Sequence, residues 1–329
     1  MRWWFVLIFV GIGSSAWPRG GPPVSSVETG SKQVPWFTGP LLAYSAVDIP
    51  KGHFNFEPYV FANYQASSYN SDWKKVSSQS SSWNINSLTL LQLGLTDWLD
   101  LTLTPSWFFR VTEKATSFNL GDFNVVFGLQ LLVEKEDQWY PSIRLALHET
   151  FPVGRFERLD PEQDGTDVSG AGAYTTGAIL AFSRVIRLWD NHWTRIRFGA
   201  KYDIPSKVRV RGYSAYGGAF DTNGWVYAPQ SYQIYFAFEF NMTQRWVLAC
   251  DAVASFSKST RFKGYSGFNE LTGLPADLTS GSSAQYSIAP ALEYNWNAKL
   301  GVISGVWFTL AGRNAQAFTN WVTALNYYY

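Results

Sequence analysis

Ionisable residues recur at alternate positions in those segments of the chain where apolar and polar residues take turns. Because successive side chains of a β-strand point to opposite faces, residues two positions apart share a face. Charges gathered on one face at a narrowing can select solutes, whereas the same charges can pair with one another and brace a filled interior. From the sequence, both interpretations stay open. The nine residues that we predict to line a pathway on this basis are Asp100, Arg144, His148, Arg195, Arg197, Lys201, Glu239, Asp251 and Glu293.

Several of these charges lie within a few residues of short turns, which predicts a belt of mixed charge near one end of the strands. Glu239 stands across one tight hairpin from Arg245, and Glu293 stands across another from Lys299. Opposite charges on facing strands attract one another. We therefore expect both pairs to form ion pairs.

Residues suited to catalysis or metal binding do not form a recognisable pattern. An outer-membrane phospholipase would carry a Ser–His pair on its lipid-facing wall, and none of His53, His148 and His192 lies in mid-strand on that face. The carboxylates between residues 160 and 167 are hard oxygen ligands, but their spacing does not match a calcium-binding loop. The sequence also lacks a phosphate-binding glycine loop and a Cys/His cluster. We predict no enzyme activity, no catalytic residue, no cofactor and no metal site.

The segments that must position the charges alternate strictly. In the segment 99–110, Leu99, Leu101 and Leu103 share one face, while Asp100 and Thr102 share the other. The polar faces contain Gly, Ala, Ser, Thr, Asn and Gln with few charges, whereas the exposed face of a soluble sheet is usually rich in Lys and Glu. After the first residues, no segment is continuously apolar for long enough to form a membrane helix. A bilayer could then be crossed only by a closed barrel.

We predict an all-β fold, a transmembrane antiparallel up-and-down β-barrel of about twelve strands. A Trp stands at or beside each of five short turns, and the connections between these hairpins are long and polar, at 65–83, 111–120, 153–171, 205–229 and 257–282. Short periplasmic turns, long external loops and an aromatic girdle are typical of such barrels. The predicted strands are 52–64, 84–95, 99–110, 121–135, 139–152, 172–187, 193–204, 230–241, 245–256, 283–294, 298–310 and 316–329.

The chain before the first strand has two parts. Arg2, the apolar run 3–13 and the small residues 14–16 indicate a cleaved signal peptide at 1–16. The Pro/Gly-rich segment 17–51 lacks alternation and is either a plug inside the barrel, a periplasmic strap or a disordered leader. Residues 52–329 form the predicted barrel, and Cys250, the only cysteine, excludes an internal disulfide.

Composition and the last strand point to partners in a bacterial envelope. The chain has 18% aromatic and 16% charged residues and a net charge of +1, so no nucleic-acid partner is indicated. Residues 316–329 form an amphipathic strand that ends on Tyr329, which resembles the signal recognised by the outer-membrane assembly machinery. Outer-membrane lipids, lipopolysaccharide and a small-molecule solute are the other expected partners.

Three motifs resemble the outer-membrane transporter family named after the MetA pathway of phenol degradation. They are LQLGLTDWLDL at 91–101, LGDFN at 120–124, and PSI at 141–143 leading to TFPVG at 150–154. The resemblance covers about residues 50 to 250. It implies an outer-membrane barrel that moves small, often hydrophobic, compounds, and it transfers no catalytic residue.

Taken together, these features predict an outer-membrane channel or passive transporter for small molecules, including hydrophobic or aromatic ones. The alternative is a surface-exposed structural or adhesive barrel with an occluded lumen. A translocator of the autotransporter type would have similar size, but the prolines between residues 17 and 51 cannot propagate a helix through the pore.

Overall fold

The chain folds into a set of antiparallel strands. The computed structural model describes residues 35–135, 138–189, 191–269 and 272–329, apart from the side chains of residues 78–81. The predicted signal peptide at 1–16 and residues 17–34 lie outside the described residues. Within the described part there is one short 3-10 helix (Pro161–Gln163). The strands are β1 (Phe54–Tyr69), β2 (Lys75–Thr96), β3 (Leu99–Thr104), β4 (Ser106–Val111), β5 (Thr116–Leu120), β6 (Phe123–Leu132), β7 (Ser142–Phe151), β8 (Thr175–Trp189), β9 (His192–Pro205), β10 (Lys207–Arg211), β11 (Asn223–Tyr227), β12 (Ser231–Asn241), β13 (Trp246–Ser257), β14 (Arg261–Tyr265), β15 (Ser283–Asn297), β16 (Leu300–Arg313) and β17 (Ala315–Tyr328).

Twelve of these strands close into an antiparallel barrel, which confirms the predicted fold class. Neighbours follow the order β1-β17-β16-β15-β13-β12-β9-β8-β7-β6-β3-β2, and β2 pairs again with β1. At the seam the first and last strands pair, for example at Asn55 with Tyr328 and at Tyr59 with Ala324. The main chain of Phe54 and Tyr329 exchanges two further hydrogen bonds of 2.9 and 2.8 Å.

One predicted strand is interrupted in the structure. The predicted strand 99–110 divides into β3 and β4 at Pro105, which has no N–H to donate to a neighbouring strand. Its carbonyl still accepts the Thr89 N–H at 3.0 Å. The predicted loop 111–120 contains β5, which Gly121 and Asp122 separate from β6. The β4 and β5 segments continue the wall above β3 and β6 and pair with each other.

Alternation along the strands separates an apolar outer wall from a polar interior, as predicted. On β12, Ile234 and Phe236 are 41% and 49% exposed, whereas Gln233, Tyr235 and Glu239 are buried. The same division occurs on β3, where Asp100, Thr102 and Thr104 are buried. Apolar side chains that face outward around a closed sheet are the wall that a barrel presents to lipid.

Aromatic side chains ring the end of the barrel that carries the short turns. Five tryptophans at the predicted turns are exposed in the structure, from 42% at Trp246 to 88% at Trp139, while Trp193 is half-buried. Their amphipathic rings suit the boundary between hydrocarbon and headgroups. The members of this ring are Trp98, Trp139, Trp189, Trp246 and Trp296.

The connections at the other end contain more strand than predicted. The predicted loop 65–83 is largely an extension of the β1–β2 hairpin, whose last pair joins Tyr69 and Lys75. The predicted loops 205–229 and 257–282 contain β10, β11 and β14, which form a separate three-stranded sheet. Residues 207–211 alternate charged side chains with Val208 and Val210, so the period of two was present in the sequence. This strand was not predicted because it has only five residues and lies in a glycine-rich connection.

No helix among the residues that the structure describes is long and apolar enough to cross a bilayer.

Gly94, near the end of β2, lies where the chain enters the barrel and has no room for a side chain. It exchanges backbone hydrogen bonds with Gly52 and His53, each 3.0 Å long, where the chain enters β1. A Cβ at this position would overlap the carbonyl oxygen of Pro50 and lie 2.5 Å from that of Ile49. Both contacts are with backbone, which cannot rotate away.

We expect Gly94→Ala to lower the stability of the folded barrel by about 1–3 kcal/mol, the usual cost of overpacking. The measurement is the temperature at which the refolded protein loses its compact, fast-migrating form on a denaturing gel. Gly199→Ala is the matched control, because its Cβ would lie 3.1 Å from the Leu180 carbonyl oxygen and needs only a small shift. Equal midpoints for both variants would contradict the prediction.

Candidate functional site in the barrel lumen

All nine predicted pathway residues lie in the barrel interior, and each of them is at most 5% exposed. They come from β3, β7, β9, β12, β13 and β15, so they are spread over the part of the wall that runs from β3 through β9 to β15, and none of the nine lies on β16, β17, β1 or β2. A role in lining a pathway stays a prediction. The structure shows the partners of these nine residues. Some of the nine bind residues 35–51, and others bind one another or further residues of the wall strands.

Residues 35–51, which we name the luminal segment, cross the barrel interior. Their described contacts reach β15 and β13 on one side and β3, β6 and β7 on the other. The segment belongs to no strand of either sheet. Phe37, Leu41 and Leu42 are completely buried in it. Its main-chain hydrogen bonds to the wall are therefore made with side chains of wall residues.

The Asp251 carboxylate on β13 holds the middle of the luminal segment. Its two oxygens accept the N–H groups of three consecutive residues, Leu41 at 3.0 Å, Leu42 at 3.3 Å and Ala43 at 2.8 Å. Asp251 is 1% exposed. Hydrogen bonds to an ionised acceptor are about twice as strong as neutral ones. Three amides directed at one carboxylate offset part of the cost of burying it.

Glu293 and Asn295 on β15 hold the beginning of the segment. Glu293 Oε1 accepts the Thr38 N–H at 2.6 Å and the Asn295 amide at 2.6 Å. The same Asn295 amide donates to the Trp36 carbonyl at 3.1 Å. The Arg195 guanidinium of β9 lies 4.8 Å from the centre of the Phe37 ring, a cation–π contact.

Arg144 on β7 anchors the end of the segment through two carboxylates. It pairs with Asp48 of the luminal segment and, at 2.6 Å, with Asp100 of β3. Asp100 also accepts the Ile49 N–H at 3.3 Å. Beside this cluster, the Gln130 side chain accepts the Asp48 N–H at 2.7 Å and donates to the Ala46 carbonyl at 2.9 Å.

Two other groups join wall strands to each other. Arg197 of β9 and Glu239 of β12 pair at 2.9 Å, and both are at most 1% exposed. His148 of β7 lies 2.9 Å from one oxygen of Asp203, and Lys201 lies 2.9 Å from the other. These contacts brace neighbouring positions of the wall.

The expected ion pairs across the hairpins are wrong. Glu239 binds Arg197 on the neighbouring strand, and Arg245 is exposed in the turn with its guanidinium 3.5 Å from the Tyr294 hydroxyl. Glu293 binds the luminal segment, while the Lys299 ammonium lies over the Tyr329 ring at 5.1 Å. The turn residues Arg245 and Lys299 remain at the surface because solvent there hydrates a cation at no cost, whereas both carboxylates point inward.

Sequence reasoning missed three residues of the site. Asp203 occupies an inward position near the end of a predicted strand, so alternation could have identified it. Gln130 is also inward-facing, but an uncharged amide gave no reason to select it. Asp48 lies in the segment without a period, and no sequence pattern placed it beside Arg144.

The connection between β7 and β8 contacts the inner face of the wall at the end of the barrel away from the short turns. Asp122 accepts the N–H groups of Gly154 at 2.9 Å and Ala171 at 2.8 Å. The inward-facing Arg110 of β4 donates to the Val168 carbonyl. This connection is thus bound to the inner face of the wall at its outer end.

Comparisons with known proteins support the fold. No family model and no curated protein sequence matches the chain. An outer membrane channel from Pseudomonas putida F1 is similar in structure, with a TM-score of 0.63 and 14% identity over 87% of this chain and 98% of that one. At that identity the likeness establishes a shared barrel fold.

Two further structures align over most of their length at lower scores. One is a mutant of the monoaromatic hydrocarbon channel TodX, with a TM-score of 0.40 and 12% identity over 94% of this chain and 98% of that one. The other is the translocator domain of the autotransporter NalP from Neisseria meningitidis, with a TM-score of 0.44 and 8% identity over 85% and 90%. Scores below 0.5 do not establish a common fold.

The Arg197–Glu239 pair generates a prediction that separates bracing from conduction. Arg197→Ala leaves Glu239 buried without its partner, which costs about 3–5 kcal/mol. We expect a large fall in the unfolding midpoint in urea. Replacing both members, as Arg197→Met with Glu239→Leu, should restore most of the stability, because it removes the uncompensated charge. A double variant as unstable as the single one would show that the pair is needed for more than mutual compensation.

Proposed function

We propose that this chain is an outer-membrane channel for small molecules and that the luminal segment closes it in the conformation described above. The apolar outer wall, the ring of exposed tryptophans and the polar interior support a location in an outer membrane. All backbone groups of a closed barrel pair between strands, which suits a hydrocarbon environment. Passage would be passive, since the sequence contains no nucleotide-binding loop.

The observation that carries the proposal is the way in which the luminal segment is held. Its main chain is bound by side chains of Asp251, Glu293, Asp100 and Gln130, so it can leave the wall without breaking any hydrogen bond of the barrel. Each hydrogen bond to a charged group contributes about 1.5–3 kcal/mol. Water entering an open lumen would hydrate the released carboxylates and offset part of that loss.

The solute is proposed to be small, and hydrophobic or aromatic compounds fit the apolar residues that the segment contributes to the interior. The resemblance to the transporter family named after the MetA pathway favours the same class. The channel from Pseudomonas putida F1 shares the fold, which accommodates such a function. We propose no catalytic role: the one inward-facing imidazole, His148, is engaged with Asp203.

The location implies further steps that we also propose. The signal peptide at 1–16 would be cleaved after export, and the assembly machinery would recognise β17 together with Tyr329, which follows it. In the folded protein β17 is the strand that pairs with both β1 and β16, so its insertion completes the barrel.

A second function is favoured by a specific observation. The luminal segment crosses the interior and the β7–β8 connection binds inside the other mouth, so the barrel could serve as an occluded scaffold for a structural or adhesive surface. Conduction distinguishes the two functions, because a permanent scaffold has no open state.

We expect refolded residues 17–329 to show brief open steps in a planar bilayer, and Asp251→Asn to raise the open fraction about tenfold. Asn keeps the shape of Asp251 but replaces one acceptor oxygen with a donor, which faces the N–H groups of residues 41–43. Loss of about 1.5 kcal/mol from one charge-assisted hydrogen bond corresponds to a factor of about ten.

Asp97→Asn, in an exposed turn, is the matched control and should conduct like the parent chain. If the parent and Asp251→Asn are both folded and both silent, the channel proposal fails and the scaffold is favoured.

A further inference from the structure

The three-stranded sheet formed by β10, β11 and β14 continues the barrel wall beyond its outer end. One residue separates β9 from β10, and three residues separate β11 from β12 and β13 from β14. The order β10-β11-β14 repeats the order β9-β12-β13 of the strands beneath it. The small sheet therefore stands directly on this part of the wall.

One face of this sheet turns toward the barrel axis. Val208, Val210 and Val226 are buried in a cluster with Val168 and Leu278. Val168 belongs to the β7–β8 connection, and its carbonyl accepts a hydrogen bond from the inward-facing Arg110. Because the buried face packs on a segment attached to the inside of the mouth, the other face points away from the axis.

That outward face, which we name the basic–aromatic face, contains two rows in which cations flank an aromatic residue. Pairing aligns Arg209, Trp225 and Lys263 in one row across the three strands. The Arg209 guanidinium lies 5.8 Å from the centre of the Trp225 ring. All members of the face are exposed, and they are Lys207, Arg209, Arg211, Asn223, Trp225, Tyr227, Arg261, Lys263 and Tyr265.

A second row has the same composition. Lys207, Tyr227 and Arg261 are aligned, and the Arg261 guanidinium lies 5.6 Å from the Tyr227 ring centre. Neighbouring strands are about 4.8 Å apart, so the cations that flank each aromatic ring are separated by about 10 Å. Two columns of positive charge thus run along the outer strands with aromatic rings between them.

The carboxylates near this face leave most of its charge uncompensated. Arg211 pairs with Glu157 at 3.0 Å, and Tyr265 interacts with Asp221. Lys207, Arg209 and Arg261 contact aromatic rings, and Arg209 also donates to the Asn223 side chain at 3.2 Å. Together with Lys263 they are four cations of the face for which the described residues provide no ion pair. A surface of this kind is complementary to a polyanion.

The position of the face identifies the partner. Just below it, at the outer ends of β12, β13 and β15, the rings of Tyr232, Phe256 and Tyr286 contact one another on the lipid side of the wall. Such aromatic residues mark the headgroup level. The cations lie beyond that level, on the sheet that continues the wall outward, and they point away from the barrel axis. The phosphates of neighbouring outer-leaflet lipids would lie there. Arg binds phosphate in a bidentate manner, and a sugar ring can pack on an exposed Trp or Tyr.

We propose that the basic–aromatic face binds the phosphorylated inner region of lipopolysaccharide. Arg209 and Lys263 contact phosphates, and Trp225 between them packs against the adjoining sugar. The proposal rests on the outer-membrane location proposed above, but not on conduction.

The test titrates refolded residues 17–329 in detergent micelles with purified lipopolysaccharide and with the same material after chemical removal of its phosphates. We expect the phosphorylated form to bind at least tenfold more tightly. Arg209→Ala with Lys263→Ala should weaken that binding about 25-fold, at about fivefold for each cation removed near an anionic surface.

Lys74→Ala with Lys75→Ala is the matched control. It removes the same charge from the tip of the β1–β2 hairpin, which lies at the same end of the barrel, and it should change binding less than twofold. Retention of the heat-modifiable form shows that each variant is folded. Conductance of the Arg209/Lys263 variant should equal that of the parent, so a failure here is distinguishable from failure of the channel proposal.

Three results would overturn the inference. Equal losses in the two double variants would indicate a nonspecific effect of net charge. Equal affinity for dephosphorylated lipopolysaccharide would exclude phosphate recognition. Equally tight binding of a soluble polyanion such as dextran sulfate would assign the face to a soluble partner instead of a membrane lipid.

Discussion

Pairing of β1 with β17 is the constraint on which the rest of the structure depends. Once the sheet is closed, backbone donors and acceptors of the wall are committed to neighbouring strands, and the interior offers only side chains to any segment that enters it. The main chain of the luminal segment nevertheless needs hydrogen-bond partners when it is buried. The inward carboxylates and amides supply them, at Asp251, Glu293, Asp100 and Gln130.

The buried charges thus divide by partner into two kinds. Asp251 and Glu293 face backbone N–H groups of the luminal segment, so they stabilise one position of a segment that is not part of the sheet. Arg197 with Glu239, and His148 with Asp203, join strands that the barrel already holds together. Arg144 belongs to both kinds, since it pairs with Asp48 in the segment and with Asp100 in the wall. Substitutions in the first group should act on opening, and those in the second group on stability.

The sequence predicts the barrel well because alternation reports directly which side of a strand each residue occupies. All nine chosen residues are buried for that reason. The path of residues 35–51 could not be predicted, because a Pro/Gly-rich segment has no period and its partners are distant in sequence; Thr38 and Glu293 are 255 positions apart. The predicted ion pairs across the hairpins were wrong because a cation close in sequence to an inward carboxylate does not have to point inward, and Arg245 and Lys299 remain exposed in their turns. The alternation of residues 207–211 indicated a strand of the outer sheet, but this segment of five residues was too short to be recognised as one.

Amide hydrogen exchange of the refolded barrel tests most directly whether charged wall residues hold the luminal segment. We expect slow exchange at Thr38, Leu41, Leu42 and Ala43, with rates far below that of the exposed turn at Asp97. We also expect Asp251→Asn to accelerate exchange at residues 41–43 while Ile49, bound to Asp100, stays protected. Exchange of residues 38–43 at the rate of an unfolded peptide, in a barrel whose strands are protected, would show that the wall carboxylates do not hold the luminal segment.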